Sequence, residues 1–588
     1  MYELLTQKAV AFFSGLREDI NRQFITVFVG YFLLSMVSFC VLELIHYPDQ
    51  SALNFWHKMI MRSTQQASLL VVLFSLIPVR GRIFHLILIT LAFPSFLLNV
   101  GHFALYDSLV HSGALGALFF ASFHEMGGYV KTFGPDVLLL LVPFFIALPV
   151  FWRFRFDKIR RRPQILCGVL FFIMASIQVG SALVSAATSH QGFFEKAASH
   201  LERRAYESTF FFGNDVKTIY TFGKQYMKLR KSRANMKDAN FDVELREEEA
   251  PELVVFVLGE SLSRHHMPWY DYERNTTPRL MEWSEEEDLL VFEDVISLTN
   301  ITRLTLMRTL TLATREDRQP FYDGESIVSA ANSADYDTYW ISNAGMLTPH
   351  DAEHTALARQ ADVTEFVNTD FRLKSLDENL LPAFDEVLER DGDRKFVVLH
   401  TLGSHPQYSQ RFSEEFDHYD EDDPIPDGYP ELTDREREHF NDYDNTIRYT
   451  DFFLDEVMTR TKEASDNAVF IYLSDHGQDV FELPEKRMGH AQTVLSNYEL
   501  ESPMFMWASD SYVESNEQIW ENLRENQDAP LSTTFFFDTV VDLLRIESDD
   551  WEGDKSLAQP DPPEYDRVIM TPDEREDFIY DPDETLYE

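Results

Sequence analysis

Cysteine is the scarcest residue of this 588-residue chain, which has two, Cys40 and Cys167. Both fall in long apolar runs, so nothing after residue 187 can form a disulfide, offer sulfur to a metal or act through a thiol or an oxidised cysteine. Positive charge is the second shortage. Residues 241–588 carry 27 Lys and Arg against 83 Asp and Glu, whereas residues 1–240 carry 24 against 14. Such an acidic part excludes nucleic acid as a partner, because phosphate binding needs Lys and Arg to displace counterions. The uneven division, within a net charge of −46, implies two parts made for different surroundings. Residues 1–24 lack the apolar core and cleavage site of a removable signal, so the first apolar run is expected to stay in place.

What the first part does contain is apolar length. Runs fall at about 25–45, 66–79, 83–105, 134–152 and 165–187. Most approach the roughly 20 residues that cross a bilayer. The second is short and extends upstream through Met59 and Met61. Five spans place the N-terminus, Arg80 and Arg82, and the basic cluster "RFRFDKIRRR" (153–162) on one side, as the positive-inside tendency requires. Counting "GALGALFFASF" (113–123) as a sixth span would move that cluster outside, so it is read as interfacial or re-entrant. Everything after residue 187 is then outside the cytoplasmic membrane. Residues 188–245 mix aromatics with Lys and Arg, a composition suited to an amphipathic connector lying on membrane lipids.

From about residue 246 the pattern alternates. The apolar runs "LVVFVLG" (253–259), "DTYWIS" (337–342), "KFVVLHTLG" (395–403), "NAVFIYLSD" (467–475) and "SPMFMWAS" (502–509) are separated by helix-like segments such as "DENLLPAFDEVLER" and "TDFFLDEVMTRTKEA". Continuous apolar strands between helices predict an α/β domain with a largely parallel central sheet and helices on both faces. Ligands of such sheets sit beyond the carboxyl ends of the strands. Three predicted strand ends carry suitable groups: Glu260, His405, and Asp475 with His476. Carboxylates and imidazoles gathered at one sheet edge suit a divalent ion such as zinc. A metal there could activate a hydroxyl, and "FEDVISLTNITRLTLMRTLTLA" (292–313) supplies Thr299, Thr302 and Thr305, among which spacing does not choose. In "NTTPRL", Thr277 is expected to cap a helix beginning at Pro278.

Seven segments occur in a family order: "GESLSRHHMPWYDYERNTTPRL", "TNITRLTLMRTLTLA", "YWISN", "HTLGSHPQYSQRF", "YDNTIRYTDFFL", "LSDHGQD" and "MGHAQ". In them the chain resembles the membrane-anchored phosphoethanolamine transferases of the sulfatase-like group in the alkaline phosphatase superfamily, from the apolar spans to about residue 550. The resemblance implies zinc held by Glu260, Thr302, Asp475 and His476, with Thr302 as nucleophile, although Ile301 and Arg303 replace smaller residues of the lipid A branch and leave Thr299 and Thr305 open. It places His405 and His490 around the phosphate and leaves His400, His265 and His266 as structural residues. It further implies a multi-pass protein of the bacterial inner membrane with its catalytic domain in the periplasm. That domain would take phosphoethanolamine from phosphatidylethanolamine, through a phosphothreonine-type intermediate, to lipopolysaccharide or another envelope glycan.

Two features favour a core sugar over lipid A: the cysteine-free exported domain and the resemblance of the threonine segment to the core-modifying branch. A phosphoglycerol transferase or phosphodiesterase on the same scaffold is the nearest alternative, and a non-catalytic binding module the remotest. The expected organisation is a five-helix membrane domain (1–187), the connector (188–245), the catalytic domain (246–550) and an acidic, solvated C-terminal tail (551–588).

Overall fold

In the computed structural model of the chain, the described residues are 52–76, 161–187, isolated helical positions within 11–36 and 218–228, and 236–587 except 345–352, 369–374, 492–493, 561–564 and four single positions. They belong to two compact units, the second running continuously from Phe222. The runs at 83–105 and 134–152, the patch at 113–123 and most of the connector lie outside the described residues, as does most of the 25–45 run.

In the first unit, helix α1 (Ala52–Leu76) packs against α2 (Arg161–Ala187), and these cover most of the second apolar run and all of the fifth. Met59, Ala67, Val71 and Cys167 are buried, whereas Ile165, Val169, Phe172 and Ile173 are exposed along α2. Among the described residues no helix is long and apolar enough to cross a membrane.

The second unit is built on a seven-stranded sheet. Its strands are β1 (Leu253–Gly259), β2 (Leu290–Phe292), β3 (Asp337–Ser342), β4 (Val363–Phe366), β5 (Lys395–His400), β6 (Ala468–Ser474) and β7 (Met504–Ala508), in the spatial order β2-β7-β6-β1-β5-β3-β4. From β6 to β4 all neighbours are parallel, and β7 runs antiparallel to both β6 and β2. Alternation along β1 shows why the sheet is covered twice. Val254, Phe256 and Leu258 join one core with Ile327 and Val328 of α5 (Ile327–Ser333) and Phe536 and Val540 of α8 (Phe536–Leu543). Leu253, Val255 and Val257 join a second core with Phe384 of α6 (Leu381–Leu388) and Phe440, Ile447 and Leu454 of α7 (Asp434–Ala464). Each large apolar side chain so buried contributes roughly 1.5–3 kcal/mol.

Three expectations need revision. The compact domain begins upstream of residue 246: Met236 and Phe241 are core residues, and Val243–Leu245 pairs with Ile546–Ser548. Helix α3 (Pro278–Glu286) starts at Pro278 as expected, but the Thr277 hydroxyl makes no capping bond and is buried without a partner. The Asp451 carboxylate of α7 caps α3 instead, accepting the N–H groups of Arg279 (3.1 Å) and Leu280 (2.9 Å). Finally, the tail is not solvated throughout. Ile569, Met570, Tyr580 and Tyr587 are buried, and Leu586–Tyr587 pairs with Leu495–Ser496.

Candidate active site

Register brings the site together. In the sheet Gly259 stands opposite Ser474 and Leu258 opposite His400, so Glu260 and Asp475 leave adjacent parallel strands at one level, and Thr401 leaves the next strand one residue earlier. Helix α4 (Thr302–Thr309) presents Thr302 as its first residue, where its backbone N–H groups and dipole favour an anion. The Thr302 hydroxyl lies 3.2 Å from Glu260 Oε2 and 3.2 Å from His476 Nε2. Thr305 instead bonds the Thr299 carbonyl (3.1 Å), and the Thr299 hydroxyl is buried without a hydrogen-bond partner. Thr302 is thus the one of the three that the fold brings to the strand-end groups.

Each ligand-competent side chain is held from behind. Asp475 Oδ1 accepts the N–H groups of Ser261 (3.0 Å) and His476 (2.8 Å). Its Oδ2 is buried without a hydrogen bond, 3.3 Å from His476 Nε2. His476 Nδ1 lies 2.7 Å from the Gly477 carbonyl, which can only accept. The proton therefore sits on Nδ1 and the Nε2 lone pair faces Thr302. Ser261, in the left-handed region at φ 57°, donates its hydroxyl to Glu260 Oε1 (2.7 Å).

Burial and, after it, the Asp475 charge push the Glu260 carboxyl well above its ordinary range. Two carboxylates in so dry a place are stable as anions only beside a cation. Ligand atoms of Glu260, His476 and His490 lie within 4.8 Å of one another. With the orphaned oxygen of Asp475 at their side, the donor set fits a divalent metal ion.

The two further histidines flank this group. The His490 ring is 4.4 Å from that of His476 and 6.0 Å from that of His405. Burial, then the neighbouring imidazoles, holds His490 well below its usual pKa. Its Nδ1 lies 2.8 Å from Gln478 Oε1, and Gln478 in turn donates to the Tyr408 hydroxyl (2.6 Å). His405 sits on a turn laced to the rest of the site. Leu402 and Gly403 donate to Asp377 (2.8 and 2.9 Å), and Ser404 donates to the Glu260 carbonyl (2.9 Å). At Gly403, φ is +46° and a Cβ would come within 2.6 Å of that carbonyl, so only glycine fits.

The histidines read as structural occupy structural contacts. His400 bonds Ser342 Oγ (3.2 Å), His265 lies 2.7 Å from Glu501, and His266 is buried between Asp444 (2.6 Å) and Glu482 (3.1 Å). Sequence reasoning missed Ser261, Asp377, Tyr408 and Gln478. Only Ser261 and Gln478 had a signal, their place beside the acidic strand ends.

Fold and site together place the chain among the enzymes built on the parallel-sheet scaffold of sulfatases, with a cluster of carboxylates and imidazoles at the strand ends that could hold a metal ion. The sulfatase family profile matches residues 252–546, and the chain belongs to that family. Among curated relatives it is similar to the phosphoethanolamine transferase EptC of Escherichia coli (strain K12), 29% identical over 339 residues, 57% of each chain. It is also similar to the Kdo(2)-lipid A phosphoethanolamine 7''-transferase of the same organism, 27% identical over 50% of this chain and 52% of the other. The chain thus matches little more than half the length of these relatives. Among solved structures, the zinc complex of the C-terminal periplasmic domain of E. coli EptC aligns with TM-score 0.54 and 26% identity, over 59% of this chain and 95% of that one. The integral membrane protein lipooligosaccharide phosphoethanolamine transferase A of Neisseria meningitidis shares the fold with TM-score 0.66 and 18% identity, over 90% and 96%.

Proposed function

We propose that the chain is a phosphoethanolamine transferase that moves the headgroup of phosphatidylethanolamine onto lipopolysaccharide through a covalent ester on Thr302. The observation that carries this reading is the Thr302 hydroxyl, 3.2 Å from both Glu260 and His476 at the head of α4. Zinc bound by Glu260, Asp475, His476 and Thr302 would lower the proton affinity of the threonine oxygen and offset the charge that protects a phosphodiester from attack. The Thr302 oxygen attacks phosphorus, the bond from phosphorus to the diacylglycerol oxygen breaks, and that oxygen leaves with a proton. In the second half an acceptor oxygen attacks the Thr302 ester, the acceptor proton is lost and the threonine hydroxyl is restored.

His405 and His490 flank the phosphate in both halves. Burial lowers the His490 pKa and its Nδ1 faces Gln478 Oε1, which leaves Nε2 as the ring atom it can offer to the phosphate. The N-terminal part holds this domain beside its lipid donor, in a bacterial inner membrane, with the catalytic unit in the periplasm. The exposed apolar stripe of α2 supports that placement, as does the fold shared with an integral membrane transferase. The names of the relatives support lipopolysaccharide as acceptor, and the absence of cysteine after residue 187 favours its core sugars over lipid A.

Intact-mass spectrometry after incubation with phosphatidylethanolamine tests the reading. The wild-type chain should gain one phosphoethanolamine, mapped to Thr302, and the Thr302→Ala variant none. An adduct persisting in the variant moves the nucleophile elsewhere, and phosphatidylglycerol as the productive donor selects phosphoglycerol transfer.

A further inference from the structure

The C-terminal segment 567–587 lies beyond residue 546, where the family match ends, yet it touches the chain that carries Thr302 directly and reaches the Glu260 and His476 turns through residues 495–501. Met570 donates its N–H to the Leu298 carbonyl (2.8 Å) and is buried with Leu298 and Leu304, the latter on α4 two residues after Thr302. Glu574 pairs with Arg308 on α4 (3.5 Å) and with Arg318, and Asp577 pairs with Arg315. Leu586–Tyr587 adds a strand to Leu495–Ser496, and Thr585 accepts the Asn497 N–H (3.2 Å). The stretch so held, 495–501, accepts the N–H groups of Gly477 and Gln478 at the carbonyls of Glu499 and Tyr498 (both 2.9 Å), next to His476. Tyr580 bonds Glu501, which also takes Arg264 and His265 in the turn after Glu260.

These contacts have a common effect. The three parts that carry Glu260, Thr302 and His476 come from distant points of the sequence, and the C-terminal segment ties the backing of all three to one strap. We propose that residues 567–587 are a positioning element of the active site, with Met570 and Glu574 its fixings on and beside α4 and Tyr580 its link, through Glu501, to the turn after Glu260. The catalytic consequence rests on the function proposed above; the positioning itself does not. A strap of this kind acts on ligand spacing, so its loss is felt first in metal retention and turnover, as with other residues that orient ligands from behind.

The test uses the full chain in detergent, a truncation after Asp566, and a Met570→Ala, Glu574→Gln double variant that remains informative where the truncation does not fold. Amide hydrogen exchange is followed in 302–309, 495–501 and β1, zinc retention by competition with a chelator, and phosphoethanolamine transfer by kcat and KM separately. In the double variant, exchange in 302–309 should rise while β1 stays protected, zinc affinity and kcat should each fall about tenfold or more, and KM for phosphatidylethanolamine should hold. Unchanged exchange in 302–309 with unchanged zinc retention overturns the proposal. So does loss of protection in step across all segments, which would make the strap a general support. A wild-type chain that transfers nothing sinks the proposed function alone, because exchange in 302–309 and zinc retention still judge the strap.

Discussion

His266 is buried and His490 half-buried, yet their surroundings push them in opposite directions. At His490, burial and then the imidazoles of His476 and His405 hold the pKa well below its usual value. For His266 burial is again the largest influence and favours the neutral ring, but Asp444 and Glu482 together outweigh it and raise the pKa to about 9. A pKa higher in the folded than in the unfolded chain stabilises the fold fully below about 6.5, and that contribution is lost as pH rises through about 9. Its full size is on the order of 3 kcal/mol. Wild-type Tm should therefore fall between pH 6.5 and 9 more steeply than that of His266→Gln, and the variant should be the less stable at pH 6.5. Parallel curves in thermal melts would show that His266 is neutral in the fold.

Legibility at this scale followed the strand ends. Glu260, Asp475 and His476 were readable because an apolar run delivers them to a predictable edge. Thr302 was not readable from spacing, since three threonines lie within one turn or two of each other; the family resemblance pointed to it, and the fold brings its hydroxyl to Glu260. His490 ends no strand of the sheet, and Gln478 and Tyr408 act through contacts made across the fold, which no local pattern records.

At the scale of elements, apolar runs predicted the five long strands; two keep their predicted bounds, and the structure trims the ends of the other three. Strands β2 and β4 were missed because three or four residues carry too little pattern. Helix α7 was half seen. Its first turns are crowded with charge, and Phe440, Tyr443 and Ile447, spaced to share one buried face, are hidden among polar neighbours in the sequence. The cap of α3 was misread for a related reason. Thr277 has the residue type and position of a cap, but a carboxylate from a helix some 170 residues away in sequence takes the N–H groups first. Asp451→Ala should therefore destabilise the chain by about 1–2 kcal/mol, whereas Thr277→Val should be near neutral, since the hydroxyl it removes has no partner. Denaturant unfolding of the two variants distinguishes these caps, and the reverse order of stability would return the role to Thr277.

For the whole molecule the scarcity of cysteine is an experimental asset. The charge division and the basic cluster at 153–162 argue that the chain after residue 187 lies across the membrane from that cluster. With Cys40 and Cys167 replaced by serine, a single cysteine at Glu421, exposed on a loop of the catalytic unit, would be the one thiol of the chain. A membrane-impermeant maleimide applied to cells with a permeabilised outer membrane should label that thiol without lysis, and should label a cysteine at Arg160 only after lysis. The opposite pattern would put the acidic unit in the cytoplasm. There the leaflet that supplies phosphatidylethanolamine would still be at hand, but the envelope acceptor would not, and the proposed reaction would lose its second substrate while keeping its first.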